Sequence, residues 1–150
     1  MPLSVKLILP VFLIALVHPF SESYADAASG LAAFRAGDYE KAYAECLPSF
    51  QKGDALSQLL VGHMYGIGRG VRTQDPIASA QIVLRAAKQG NTEAQYITGT
   101  YYFRGFGRKR DRKAAFDWFR KAAENGHSGA QVELAREFSH GEIISGDHLL

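Results

Sequence analysis

Cysteine is almost missing from this chain. Cys46 stands alone among 150 residues, so no internal disulfide can form and the fold must stand on packing. Net charge is almost missing too. There are 17 Lys and Arg against 15 Asp and Glu, a formal +2, and a chain so balanced is not a general nucleic-acid binder. No Gly-x-Ser-x-Gly turn occurs to present a serine nucleophile. The glycines at 66, 68 and 70 are followed by Val71-Arg72, not by Lys-Ser/Thr, which excludes a phosphate loop. No His/Cys cluster has zinc-ligand spacing, and His63 by itself is no metal site. No catalytic residue, metal or cofactor is therefore assigned, and the chain is not read as an enzyme.

Long apolar runs are also scarce. The one candidate, Leu7 to Val17, is shorter than the about 20 residues a membrane span needs. Lys6 precedes it, and Ser23-Tyr24-Ala25 puts small residues where a signal peptidase reads. Residues 1–25 are accordingly expected to be a signal peptide cut between Ala25 and Asp26, with His18 to Glu22 as a helix-breaking exit. The alternatives are an uncleaved N-terminal membrane anchor and a buried helix. No cysteine lies near residue 25 to carry a lipid, and no Asn-x-Ser/Thr sequon is present. The first argues against a lipid-modified N-terminus, and the second favours a bacterial periplasmic or secreted protein. In that oxidising setting the sole cysteine is best read as a small buried apolar residue, with an intermolecular disulfide as the alternative.

What the chain does have is itself, repeated. Gln58 to Gly62, Tyr65, Gly68 and Gly70 are answered by Gln95 to Gly99, Tyr102, Gly105 and Gly107. Asp75, Ala86, Ala87 and Gly90 are answered by Asp111, Ala122, Ala123 and Gly126. A period in the mid-thirties with helical apolar spacing means stacked helical hairpins. The spacing predicts a first helix over 92–103, capped by Asn91, and a second over 112–124, capped by Asp111. Asp75-Pro76 is the matching start in the unit before. Gly62 and Gly99 sit inside first helices, where glycine costs roughly 1 kcal/mol relative to alanine. A neighbouring helix passing too close for a side chain would explain both. Tyr65, Tyr102 and Trp118 complete the structural set. The units expected are about 27–53, 54–90, 91–126 and a partial 127–147, with Pro48 interrupting the second helix of the first unit and Asp147 in a cap position.

The pattern Ala-Gln-x-x-x-Gly-x-x-Tyr-x-x-Gly-x-Gly, then Asp, then Trp-Phe-x-Lys-Ala-Ala-x-x-Gly, resembles the Sel-one-like repeat (SLR) family, relatives of tetratricopeptide repeats. The resemblance covers 54–126 well and the flanks loosely. It implies an all-α fold, an α/α right-handed superhelical solenoid of helix-turn-helix repeats, that binds proteins or peptides as a scaffold or adaptor. Three positions depart from the pattern: Ile82 stands where Trp118 leads one to expect an aromatic, Arg108 stands in place of Val71, and Pro48 lies within a helix. The resemblance also brings in a weak cell-wall hydrolase as the remaining catalytic alternative, and no residue here carries it.

Three surfaces are candidates for a partner. First helices line the concave side of such a stack, and there Leu59, Tyr96 and Val132 are equivalent, as are His63, Thr100 and Arg136. This stripe is either a binding face for a protein or peptide, or, at its apolar positions, plain core. The second candidate is the loop where Arg104, Arg108, Lys109, Arg110, Arg112 and Lys113 crowd around Asp111. It is either a solvated turn or a site for an acidic surface, such as an anionic polymer of the cell envelope. The third is the C-terminal flank, where Ile143, Ile144, Leu149 and Leu150 either cover the last helix or meet a partner or a second copy.

Overall fold

A computed structural model describes residues 19–139. Within them the chain forms seven α-helices and no strand: α1 (Pro19–Arg35), α2 (Tyr39–Gln51), α3 (Ala55–Ile67), α4 (Pro76–Lys88), α5 (Thr92–Arg104), α6 (Arg112–Glu124) and α7 (Ser128–Ser139). Each helix packs on the next in sequence, and α1 also touches α3. Contact confined to neighbours is the packing of a solenoid. The chain is therefore an all-α repeat stack, with three hairpins followed by α7. The apolar run Leu7 to Val17 lies outside the described residues. So do Gly141, Ile143, Ile144, Asp147, Leu149 and Leu150.

Helix starts are set by one device used repeatedly. The side chains of Asp38, Asp54, Asp75, Asn91 and Asp111 each accept from the backbone N–H three residues on, at 3.1, 2.7, 2.9, 2.9 and 2.9 Å. Each such cap is worth about 1 kcal/mol. At the sixth start the residue is histidine: His127 Nδ1 accepts from Ala130 N–H at 3.1 Å. The first helices of the repeat end in left-handed glycines, Gly68 at φ 70° and Gly105 at φ 75°.

Two expectations are corrected. Pro19 to Glu22 do not form a helix-breaking exit, because they belong to α1, and His18 lies outside the described residues. The expected cleavage point, Ala25–Asp26, falls inside α1; Ala27 and Ala33, buried, and Leu31 and Phe34, partly buried, all lie after it. Pro48 does not interrupt α2 either, which runs on to Gln51. Only one ladder bond is lost, near the helix end, while Ala42, Cys46 and Ser49 hold the other face in the core.

The close-approach reading of the helix glycines holds at atomic level. A Cβ on Gly62 would stand 2.7 Å from Val83 Cγ2, and one on Gly99 would stand 2.6 Å from the Phe119 ring. Val83 and Phe119 occupy the same place, eight residues after their caps. Cys46 is the corresponding residue after Asp38, and it presses on Gly30. The lone cysteine is thus the first unit's version of that knob. It is fully buried, and burial, aided by the Asp54 charge and opposed by a hydrogen bond from Ser57, pushes its thiol up to about 11. A thiol this buried and this weakly acidic is a packing group, not a nucleophile.

Polar groups inside the stack are tied both within and between units. Gln95 donates to the Ala87 carbonyl of α4 at 3.4 Å and accepts from Asn125 beyond α6 at 2.9 Å. Gln58 accepts from Gln89 at 2.8 Å, and Gln131 donates to the Ala123 carbonyl at 3.4 Å. Gln58 and Gln95, which are buried, meet the rule that buried amides have partners. Their recurrence explains why glutamine is a repeat residue.

Candidate functional site

The stripe on the first helices is graded rather than uniform. Leu59 is 8% exposed and packs with Val83, Ala86, Ala87 and Ala94. Tyr96 is half-buried, stacked on the His127 ring at 4.3 Å and tilted against Phe119 at 5.7 Å. Val132, on the last described helix, is 55% exposed. Leu59 and Tyr96 are spent on the second helix of their own unit and on the unit that follows, which leaves Val132 as the apolar stripe residue that faces solvent. Phe138, six residues on in α7 and equivalent to Tyr65 and Tyr102, is 64% exposed.

The polar half of the stripe is also partly engaged. Thr100 Oγ1 donates to the Tyr96 carbonyl of its own helix at 3.1 Å. Arg136 pairs with Glu133 at 3.1 Å on an exposed face. His63 lies edge-on to Phe34, with ring centroids 5.4 Å apart. Burial lowers its pKa below the ordinary 6.5, against an opposing pull from Glu93. In the unfolded chain His63 titrates near 6.5, and in the folded one lower, so the unfolded state takes up its proton first as pH falls. The stability tied to neutral His63 is full above 6.5 and is lost as pH falls through the folded value. His63→Phe keeps a ring against Phe34 and is expected to flatten the fall in Tm between about pH 7 and pH 5. A variant whose Tm falls as steeply as the wild type would contradict this.

The basic loop, expected as one cluster, divides. Arg108 turns inward: Nη2 donates to the Ala80 carbonyl of α4 at 2.9 Å, and the guanidinium lies 4.1 Å from the Tyr102 ring centroid. It fills the place that Val71 takes against the core one unit earlier. Arg112 is bound to Glu137 of α7 at 2.6 Å. Arg110 lies over the Phe103 ring at 5.6 Å and is exposed, as are Lys109, Arg104 and Lys113. The loop and α4 enclose an open cleft of about 530 Å³ lined by Leu84, Tyr102, Arg108, Lys109, Arg110 and Asp111. A smaller cleft of about 340 Å³ lies at the start of α2, lined by Gly37, Asp38, Tyr39, Glu40, Arg69 and Gly70. Leu84 carries no signal of its own in the sequence; it enters the site only because the next unit's loop folds over α4.

Tyr65, Tyr102 and Trp118 are partly buried and Gly62 and Gly99 are buried, while Asp75 and Asp111 cap their helices. Among the described residues no group of three or more His, Cys, Asp or Glu is placed to hold a metal ion. No described helix is long and apolar enough to cross a membrane.

Comparison with known proteins fits this architecture. The Sel1 repeat model matches residues 55–91 and 92–127, the two units whose caps, glycines and knobs coincide above. A Sel1 repeat protein from Oxalobacter formigenes superposes with a TM-score of 0.73 at 30% identity, over 77% of this chain and 46% of that one. The c5321 protein, a protective antigen of uropathogenic Escherichia coli with an SLR fold, gives 0.72 at 31% identity over 81% and 27%. Protein sel-1 homolog 2 of mouse is 39% identical over 64 residues, 42% of this chain and 9% of its own length, and the rat protein matches equally. The chain therefore spans less than half the length of these relatives. Sel1 repeats in general mediate protein–protein interaction as non-catalytic scaffolds. With its two matched repeats and the same fold as these solved relatives, the chain belongs to the Sel1-like repeat family.

Proposed function

We propose that the chain is an exported adaptor that binds a protein or peptide segment on its first-helix face, at the α5–α7 end. The observation that carries this reading is the exposure of Val132, 55%, at the stripe position whose equivalent Leu59 is buried, with Phe138, 64% exposed, on the same helix. Large apolar side chains left open beside buried counterparts mark a contact surface. Export rests on the N-terminal pattern of Lys6, the Leu7 to Val17 run and Ser23-Tyr24-Ala25. Thr100 and Arg136 supply polar contacts at the rim.

The test uses the mature protein as bait against its own periplasm or medium. The Val132→Asp/Phe138→Ser variant is expected to retain at least about ten-fold less of the captured protein, since a central apolar anchor is worth about 2 kcal/mol or more. Helicity by circular dichroism should not change, because both side chains face solvent. Undiminished capture by a folded variant would remove this face from consideration.

A further inference from the structure

The two clefts are lined by different positions of the repeat, the first at the start of α2 and the second by Leu84 of α4, Tyr102 and the α5–α6 loop, and they carry opposite charge. At the first, Asp38 and Glu40 face one cation, Arg69, which is laid over the Tyr39 ring at 5.1 Å. At the second, Arg108, Lys109 and Arg110 line the wall beside Leu84 and Tyr102. Asp111 is the single acid there, and its carboxylate is occupied by the Ala114 N–H at the positive end of α6. The repeat does not require these cations. Arg108, Lys109 and Arg110 stand where the preceding unit has Val71, Arg72 and Thr73, and that unit folds the same way.

We infer that the cleft between α4 and the α5–α6 loop docks an acidic segment of a partner protein. A partner carboxylate sits between Arg108 and the Lys109–Arg110 arms, and an adjacent apolar side chain lies on Leu84 and Tyr102. Arg108 is held by the Ala80 carbonyl and the Tyr102 ring. Its charge is therefore placed before the ligand arrives, and little side-chain freedom is lost on binding. Lys109 and Arg110 are exposed and steer an anion toward it. A long polyanion is the poorer fit. A short acidic stretch flanked by apolar residues meets the charged wall and the Leu84–Tyr102 floor together. The inference rests on the chain binding proteins, not on the first-helix face.

The experiment measures fluorescence anisotropy of a rhodamine-labelled synthetic peptide of alternating glutamate and phenylalanine, added to the full-length mature protein. Binding is expected, and it should weaken as salt rises past about 0.1 M, where the Debye length is about 10 Å. The Lys109→Glu/Arg110→Glu variant should bind about ten-fold more weakly. The milder Lys109→Gln/Arg110→Gln variant should show a smaller loss in the same direction, which guards against a folding defect. Reversal of Lys41 and Lys52 on α2 should leave binding unchanged, as should Val132→Asp/Phe138→Ser, which separates this cleft from the first-helix face. Several results would overturn the inference. They are no binding of the peptide, equal binding of its glutamine analogue, or equal binding by both Lys109/Arg110 variants. Binding of a sulfated polysaccharide or of phosphatidylglycerol vesicles through Lys109 and Arg110, with none of the peptide, would overturn it in favour of an envelope polymer or a lipid surface.

Discussion

Gly99→Leu is expected to unfold the chain or to remove about 3 kcal/mol or more of its stability. On propensity alone the change should help, since glycine inside a helix costs roughly 1 kcal/mol relative to alanine. Packing decides the sign. A Cβ at Gly99 would lie 2.6 Å from two carbons of the Phe119 ring and 3.0 Å from the Ala115 carbonyl oxygen. Phe119 is 3% exposed and wedged between Tyr96 at 5.7 Å and Phe116 at 5.7 Å, so its ring has nowhere to go. The Ala115 carbonyl belongs to the backbone of α6, so moving it means moving the helix. Leucine would add three further carbons to that collision. Urea unfolding followed by circular dichroism measures the loss. A double-mutant cycle separates overpacking from any other cause. Phe119→Ala alone should cost about 3–5 kcal/mol by leaving a cavity. Gly99→Ala/Phe119→Ala should cost clearly less than the two single losses summed, because the new methyl enters space the ring has left. Additive losses, or a fully stable Gly99→Leu protein, would mean that α5 and α6 are not locked at this point.

The features visible in the sequence were those the repeat forces to recur. Asp75 and Asp111 announce helix starts because a side-chain acceptor must meet an orphan N–H, and the helices begin at Pro76 and Arg112 as that chemistry requires. Gly62 and Gly99 announce a close approach because no other reason keeps glycine at that helical register. The Gly30–Cys46 contact escaped the same logic. Gly30 precedes its cap Asp38 by eight positions, whereas Gly62 precedes Asp75 by thirteen, since the first unit turns at Gly37 without the long glycine loop. The register of knob and hole is therefore shifted in sequence while the packing is kept in space. Candidate binding residues were harder still. Leu59, Tyr96 and Val132 are equivalent by position, yet Leu59 packs on α4 and Ala94, Tyr96 on Phe119 and His127, and Val132 is exposed. Arg108 reads as one more loop cation, yet it reaches the Ala80 carbonyl in the previous unit. The one hint is its place at the apolar Val71 position. Contacts between units depend on where two loops and a helix meet, and a single unit's pattern does not carry that information.

Gly107→Ala is expected to uncouple the second and third hairpins. Two effects combine at this residue. Its φ is +63°, a left-handed conformation that costs an L side chain roughly 1–2 kcal/mol. In addition, its Cβ would collide with the Pro76 carbonyl oxygen at the start of α4, and it would stand 3.0 Å from Ala80 Cβ. Gly70 meets the Tyr39 carbonyl at the start of α2 in the same way, at φ 71°. The second glycine of each loop is thus the point where one unit's loop rests on the helix start of the unit before. The controls are in the same chain. Gly90 and Gly126 also have positive φ, 91° and 86°, but nothing lies within 4 Å of their Cβ positions. Gly90→Ala and Gly126→Ala should therefore lose only the conformational cost, about 1–2 kcal/mol, with one cooperative transition. Gly107→Ala should lose about 3 kcal/mol or more and broaden the urea transition or split it into two steps. In a stack held by nearest-neighbour contacts, weakening one interface lets the two sides unfold separately. The same strain should loosen Arg108, the next residue, from the Ala80 carbonyl, and hydrogen exchange at the α4 start should rise with it. Equal losses at residues 90, 107 and 126 would show that backbone conformation alone is at stake and that the loop is not what joins the units.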